Sequence, residues 1–223
     1  MNEHRVTRLA LLCVLASACG EPAEDGTTLT PPVEAPAPNA VTGSLDGFAI
    51  DVKSAAFIVA EAQVPGDLLV LMMSSEEDVC GQLHRREVSA QIFEPDLNVT
   101  DGRLLVWWML GLDDDGEWSP VVPGEIPYGV LPFEGPSPVP PPPGPQYGFP
   151  MMVRTDAACD KTTVAPAFDT SAAMLTLETF TATTGGTAKG SFFATKGGDR
   201  IEGVFEAEFC EIVEAVPEEP ACP

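Results

Sequence analysis

From about Thr42 onward the chain consists of short apolar or alternating runs cut by Gly, Asp and Pro, and no stretch keeps helical period beyond two turns. That punctuation points to an all-β domain. Three Thr/Phe/Val-rich segments near the C-terminus, Met174 to Ala182, Ala188 to Thr195 and Arg200 to Cys210, are joined by Gly185-Gly186 and by Lys196-Gly197-Gly198-Asp199. They read as an antiparallel meander. In the last of them Ile201, Phe205, Ala207 and Phe209 share one parity while Glu202, Glu206 and Glu208 share the other, which predicts one core face and one solvent face. Leu68 to Met73 and Leu104 to Leu110 are nearly unbroken apolar runs, the pattern of strands buried on both faces. Phe48, Ile50 and Val52 alternate, whereas Phe57 and Val59 take the opposite parity, so a bulge or break is expected near Ser54. A short helix fits best within residues 78–97. Gly190-Ser-Phe-Phe-Ala194 and Gly203-Val-Phe-Glu-Ala207 echo each other across a hairpin, which reads as recurring strand chemistry rather than a repeat architecture. The expected fold is a single antiparallel β-sandwich or partly open barrel with a C-terminal meander, a long Pro-rich loop and disordered termini.

That loop spans residues 119–150 and includes Pro140-Pro-Pro-Pro143. Proline cannot donate to a sheet ladder, so polyproline II or irregular structure is expected throughout it. Its aromatics, Tyr128, Phe133, Tyr147 and Phe149, either dock the excursion onto the domain or offer a recognition surface. Docking is the favoured reading.

At the other end, Arg5 and Arg8 precede an uncharged apolar run from Leu9 to Ala18, too short to span a bilayer and of secretory-signal length. Ser17 and Ala18 stand directly before Cys19 and Gly20. This stretch of about twenty residues resembles the lipobox of bacterial lipoproteins, with Ala16 where that family usually carries a larger aliphatic residue. The resemblance implies cleavage after residue 18 and diacylation of the Cys19 thiol, hence a lipid bilayer as partner. It also implies a bacterial cell-envelope location, with Gly20 rather than Asp after the cysteine pointing to the outer membrane. The expected organisation is a signal peptide at 1–18 and a lipidated cysteine with a disordered, Pro- and acid-rich tether at 19–41. A β-domain at 42–215 and an acidic, Pro-containing tail at 216–223 complete it.

Removal of residues 1–18 takes away Glu3, Arg5 and Arg8, leaving 33 acidic and 9 basic residues and a net charge near −24. Nucleic acid is excluded as a direct partner by that charge, because its phosphates would be repelled. Four cysteines then remain for the domain and tail, Cys80, Cys159, Cys210 and Cys222, an even number suited to an oxidising compartment. Two disulfides and three pairings follow. The favoured pairing joins Cys80 to Cys210 and Cys159 to Cys222, since the latter would tie down the tail. No two cysteines have the short spacing of zinc sites, and no cofactor is called for.

Asp113-Asp114-Asp115-Gly116-Glu117 is rich enough in carboxylates to suggest a weak calcium site, with Asp113, Asp114 and Asp115 as candidate ligands. An EF-hand register fails, because Gly111 and Val122 would fall where carboxylates are required. A polar turn is the favoured reading. His84 is the only imidazole after the signal region, no G-x-S-x-G elbow occurs, and acidic residues are so numerous that no single pair stands out as catalytic. Trp107, Trp108 and Trp118 suit core packing better than a sugar-stacking platform. The function expected is therefore a membrane-anchored, non-enzymatic binding or structural module, with a protein or carbohydrate ligand left unnamed. An extracytoplasmic hydrolase using His84 or a carboxylate pair is the alternative.

Overall fold

The computed structural model describes residues 37–61, 67–83, 100–112, 118–129, 146–164 and 172–211. The strands are β1 (Val41–Ser44), β2 (Ser54–Glu61), β3 (Asp67–Ser74), β4 (Arg103–Leu112), β5 (Trp118–Ser119), β6 (Gly124–Pro127), β7 (Gln146–Thr155), β8 (Lys161–Val164), β9 (Ala173–Phe180), β10 (Thr187–Lys196) and β11 (Asp199–Phe209). One helical turn, α1 (Val79–Leu83), follows β3. All described residues belong to one compact unit, Pro36–Pro223.

The strands form one curled sheet in the order β6-β9-β10-β11-β2-β3-β4-β7-β8, with β1 added to β11 and β5 to β4. Its C-terminal third is the expected meander, β9 to β11, in antiparallel register. The break expected near Ser54 is where β2 begins, and Phe48, Ile50 and Val52 precede it. One feature departs from a purely antiparallel sheet. β11 pairs with β2 in parallel, through Glu208 opposite Ala56 and Phe209 opposite Phe57, and the Cys210 N–H extends the junction to the Phe57 carbonyl at 2.8 Å. Both strands had to run the same way for the meander to join the rest of the sheet on this edge, and no periodicity signals such a direction.

β3 and β4 are buried on both faces, as their unbroken apolar runs predict. Leu69, Leu71, Met73, Leu105, Trp107 and Met109 point into the main core, which they share with Phe57 and with Leu175, Phe192 and Phe205 of the meander. Leu68, Val70, Met72, Leu104, Val106, Trp108 and Leu110 point the other way, into a second cluster with Val79 of α1 and Cys210. The turn before α1 is pinned by Ser54, whose hydroxyl donates to the Glu76 carbonyl (2.6 Å) and accepts the Val79 N–H (3.0 Å). Asp78 caps α1 by accepting the Gly81 N–H at 2.9 Å.

The expectation of a non-sheet excursion over 119–150 needs correction at both ends. Residues 124–127 are β6, paired with β9, and residues 146–150 open β7, which runs along β4 for nine registered pairs. Proline is tolerated because of where it falls. Pro127 ends β6, and Pro150, opposite Trp107, lies on the stretch of β7 that β8 does not reach, so no ladder donor is lost there. Tyr128 and Tyr147 are buried and Phe149 is half-buried, in keeping with docking; Phe133 lies outside the described residues.

Curling brings β6 against β7, where Tyr128 bridges Gly148 and the Gly129 N–H donates to the Gly148 carbonyl at 2.9 Å. Gln146 reinforces this seam, accepting the Val122 N–H (3.1 Å) and donating to the Glu125 carbonyl (3.3 Å). A Cβ on Gly148 would meet Ile126, Trp107 and the Trp108 carbonyl at 3.1 to 3.3 Å, so the close approach of the two strands depends on a bare backbone there. The sheet is thus a partly open barrel filled by its own side chains.

The echo between residues 190–194 and 203–207 has a packing origin. Gly190 stands opposite Phe205, and Phe192 opposite Gly203; the Phe205 ring covers Gly190, while Gly203 lies against Ala40 and Val41 of the β1 side. A Cβ on Gly190 would lie 2.0 Å from the Thr176 carbonyl oxygen and 2.8 Å from the Phe205 ring. Gly190→Ala is expected to cost about 1–3 kcal/mol through overpacking, read from the midpoint of denaturant unfolding.

Tyr128 and Tyr147 are the two tyrosines of the chain, and burial raises both hydroxyls, Tyr147 to about 12. Tyr128 is shifted in the same direction, and Tyr147 stays neutral in the folded state while the unfolded chain ionises near pH 10, so the Tyr147 contribution to stability is whole below that pH. It is lost as pH rises from there through about 12. A spectrophotometric titration at about pH 10.5 is expected to show less tyrosinate in the native protein, where Tyr147 is still neutral, than in the denatured protein, where more than half has formed.

Candidate functional site

The meander has one face in the core and one facing outward, and the outward face carries the candidate site. Ala188, Phe192 and Ala194 of β10 are buried; Ser191 and Phe193, of opposite parity, are half-exposed. Register then places side chains from five strands in two rows across the sheet. One row runs Glu125, Thr176, Ser191, Val204, and the other Met174, Phe193, Glu202, Thr42. At about 4.8 Å between strands, the five span about 19 Å. Between the rows lies a shallow groove of about 570 Å³, lined by these residues together with Arg200 and the backbone around Ala40 and Gly203.

Its floor is apolar at Met174, Phe193 and Val204 and hydroxylic at Thr176 and Ser191. Arg200 lies over the Phe193 ring, 4.3 Å from its centroid, and its Nε donates to the Glu202 carboxylate at 2.6 Å. An aromatic face and a carboxylate together form a place for a cation, and Arg200 fills it. Glu125, on the far row, has no ion-pair partner among the described residues. The wall at β1 is held by the Val204 N–H donating to the Ala40 carbonyl (2.9 Å) and the Glu206 N–H to Asn39 Oδ1 (2.8 Å).

The residues singled out in the sequence fall elsewhere. Cys80 and Cys210 form a disulfide, with Cα atoms 5.6 Å apart. Cys159 is also disulfide-bonded, its partner outside the described residues. Cys19, Cys222, His84 and Asp113, Asp114 and Asp115 lie outside the described residues too, so the calcium reading and the histidine of the hydrolase reading are not placed. Trp107 and Trp108, on opposite faces of β4, are both buried, at 0 and 3% exposure. Neither serves as a stacking platform. Trp107 packs against Phe192 (6.2 Å between centroids) and Trp108 stacks on Phe149 (5.8 Å). The Trp107 indole N–H and the Tyr128 hydroxyl, both in the main core, have no hydrogen-bond partner among the described residues.

None of the groove residues stood out in the sequence, although one signal was present. Phe193 shares its parity with Lys189, Ser191 and Thr195, and an aromatic on the polar side of an amphipathic strand is unusual for a purely solvated face. The chain matches no protein-family model, no curated protein and no solved structure.

The neighbouring phenylalanines offer a direct check on which face is which. Phe192→Ala is expected to cost about 3–5 kcal/mol of stability as a core truncation, and Phe193→Ala no more than about 1.5 kcal/mol. Denaturant titration of the two variants measures the difference; equal losses would mean that the assignment of faces is wrong.

Proposed function

We propose that this chain is a membrane-anchored lipoprotein of the bacterial envelope, held at the outer membrane through a lipidated Cys19, and that its β-domain is a non-enzymatic binding module. Support for the anchor comes from the run Arg5 to Cys19 and its likeness to a lipobox. A disulfide between Cys80 and Cys210 fits a domain that matures in an oxidising compartment. The binding role rests on one observation, the groove across β6, β9, β10, β11 and β1, where half-exposed apolar and hydroxylic side chains stand between charged ones. Concave, mostly apolar surfaces with a few placed polar groups are the usual form of a ligand site. The interior, by contrast, is filled by Trp107, Tyr128, Phe57, Leu105 and their neighbours, so a ligand would meet the outer face.

Expression of the full chain in a bacterium fed an alkyne-tagged palmitate tests the anchor. Wild type is expected to carry the label and to sediment with membranes, whereas Cys19→Ala loses the label. Unlabelled wild-type protein in the soluble fraction would end the lipoprotein reading.

A further inference from the structure

The groove carries a hint of its own ligand. Arg200 places a guanidinium against Phe193 and Glu202, the contacts by which a protein surface holds a foreign lysine or arginine. Glu125 stands at the opposite end with its charge uncompensated among the described residues, and the floor between, Met174, Phe193 and Val204, is apolar. Arg200 is balanced by Glu202, so the groove as a whole is negative, and it sits in a chain of net charge −23. Anionic ligands are disfavoured by that field, and cationic ones are drawn in. A neutral glycan could hydrogen-bond the Glu125 carboxylate but would leave its charge uncompensated, and it would find one face of Phe193 already covered.

We infer that the groove takes a basic, amphipathic segment of a partner protein. One lysine or arginine displaces Arg200 from Phe193 and Glu202, a second pairs with Glu125, and the apolar side chains between them lie on Met174 and Val204. This rests on the reading of the groove as a binding site. A segment lying across the strands cannot extend the sheet by backbone hydrogen bonds, so side chains alone would carry its recognition.

The test is fluorescence polarisation with the full chain carrying Cys19→Ala, which removes the lipid. The probe is a labelled peptide of lysines interspersed with leucine and threonine; the same peptide with glutamine for lysine, and a neutral cello-oligosaccharide, are the comparisons. The lysine peptide is expected to bind, more weakly as salt rises. Phe193→Ala should reduce affinity roughly tenfold as loss of an aromatic anchor, and Glu125→Gln about two- to fivefold. Arg200→Gln should tighten binding about two- to fivefold by vacating the cation place. Lys196→Gln and Glu208→Gln change charge outside the groove and should leave affinity unchanged. Equal binding of the lysine and glutamine peptides, or equal effects of groove and control substitutions, would overturn the inference. Phe193-dependent binding of the oligosaccharide without the lysine peptide would also overturn it while leaving the groove a binding site. Binding of neither would remove both.

Discussion

Apart from the seam between β6 and β7, two registered residue pairs join the halves of this sheet. β2, β3, β4, β5, β7 and β8 form one half and the meander with β1 and β6 the other, and along the ladder they meet where β11 runs parallel to β2 at Ala56 and Phe57. So short a junction is weak by hydrogen bonding alone. It is backed by the Cys80–Cys210 disulfide immediately beyond it, by the Cys210 N–H on the Phe57 carbonyl, and by Phe57 lying against Phe209 and Phe180. The two cysteines are 130 residues apart, so in the chain-entropy view their bond restrains the unfolded state by on the order of 4–5 kcal/mol. Curl, core and seam all follow from the two halves being held edge to edge.

The two halves bury their faces unequally. In the half built on β3 and β4 both sides of the sheet are buried, one in the main core and one in the cluster beneath α1. In the meander only one side is. The surface on which alternate residues are released from packing is therefore the outer face of β9 to β11, and the groove forms there. Its depth comes from β1, whose lead-in at Asn39 and Ala40 stands along β11 as a wall.

Much of this was legible in the residues. The Gly-rich turns and strict alternation of Arg200 to Cys210 marked the meander, and unbroken Leu/Val/Met/Trp runs marked the doubly buried strands, because both patterns reflect local side-chain direction. Features set by which strand lies beside which were not legible. The direction of β11 relative to β2 leaves no trace in either segment. Pro150 and the proline run before it suggested a loop, and only the partner strands reveal that the stretch around Pro150 needs no donor. The groove was hidden for the same reason, since Glu125, Thr176, Ser191 and Val204 are 79 positions apart from first to last and become neighbours through register alone.

Phe192 and Phe193 stand side by side in the chain and on opposite sides of the sheet. Evolution can therefore rewrite every second position of β9, β10 and β11 without disturbing the interior that the intervening positions hold. Descendants of this gene are free to exchange Met174, Ser191, Phe193 or Glu202 on an unchanged scaffold. Their relationship would then survive in the buried half of the strand pattern long after the exposed half had diverged.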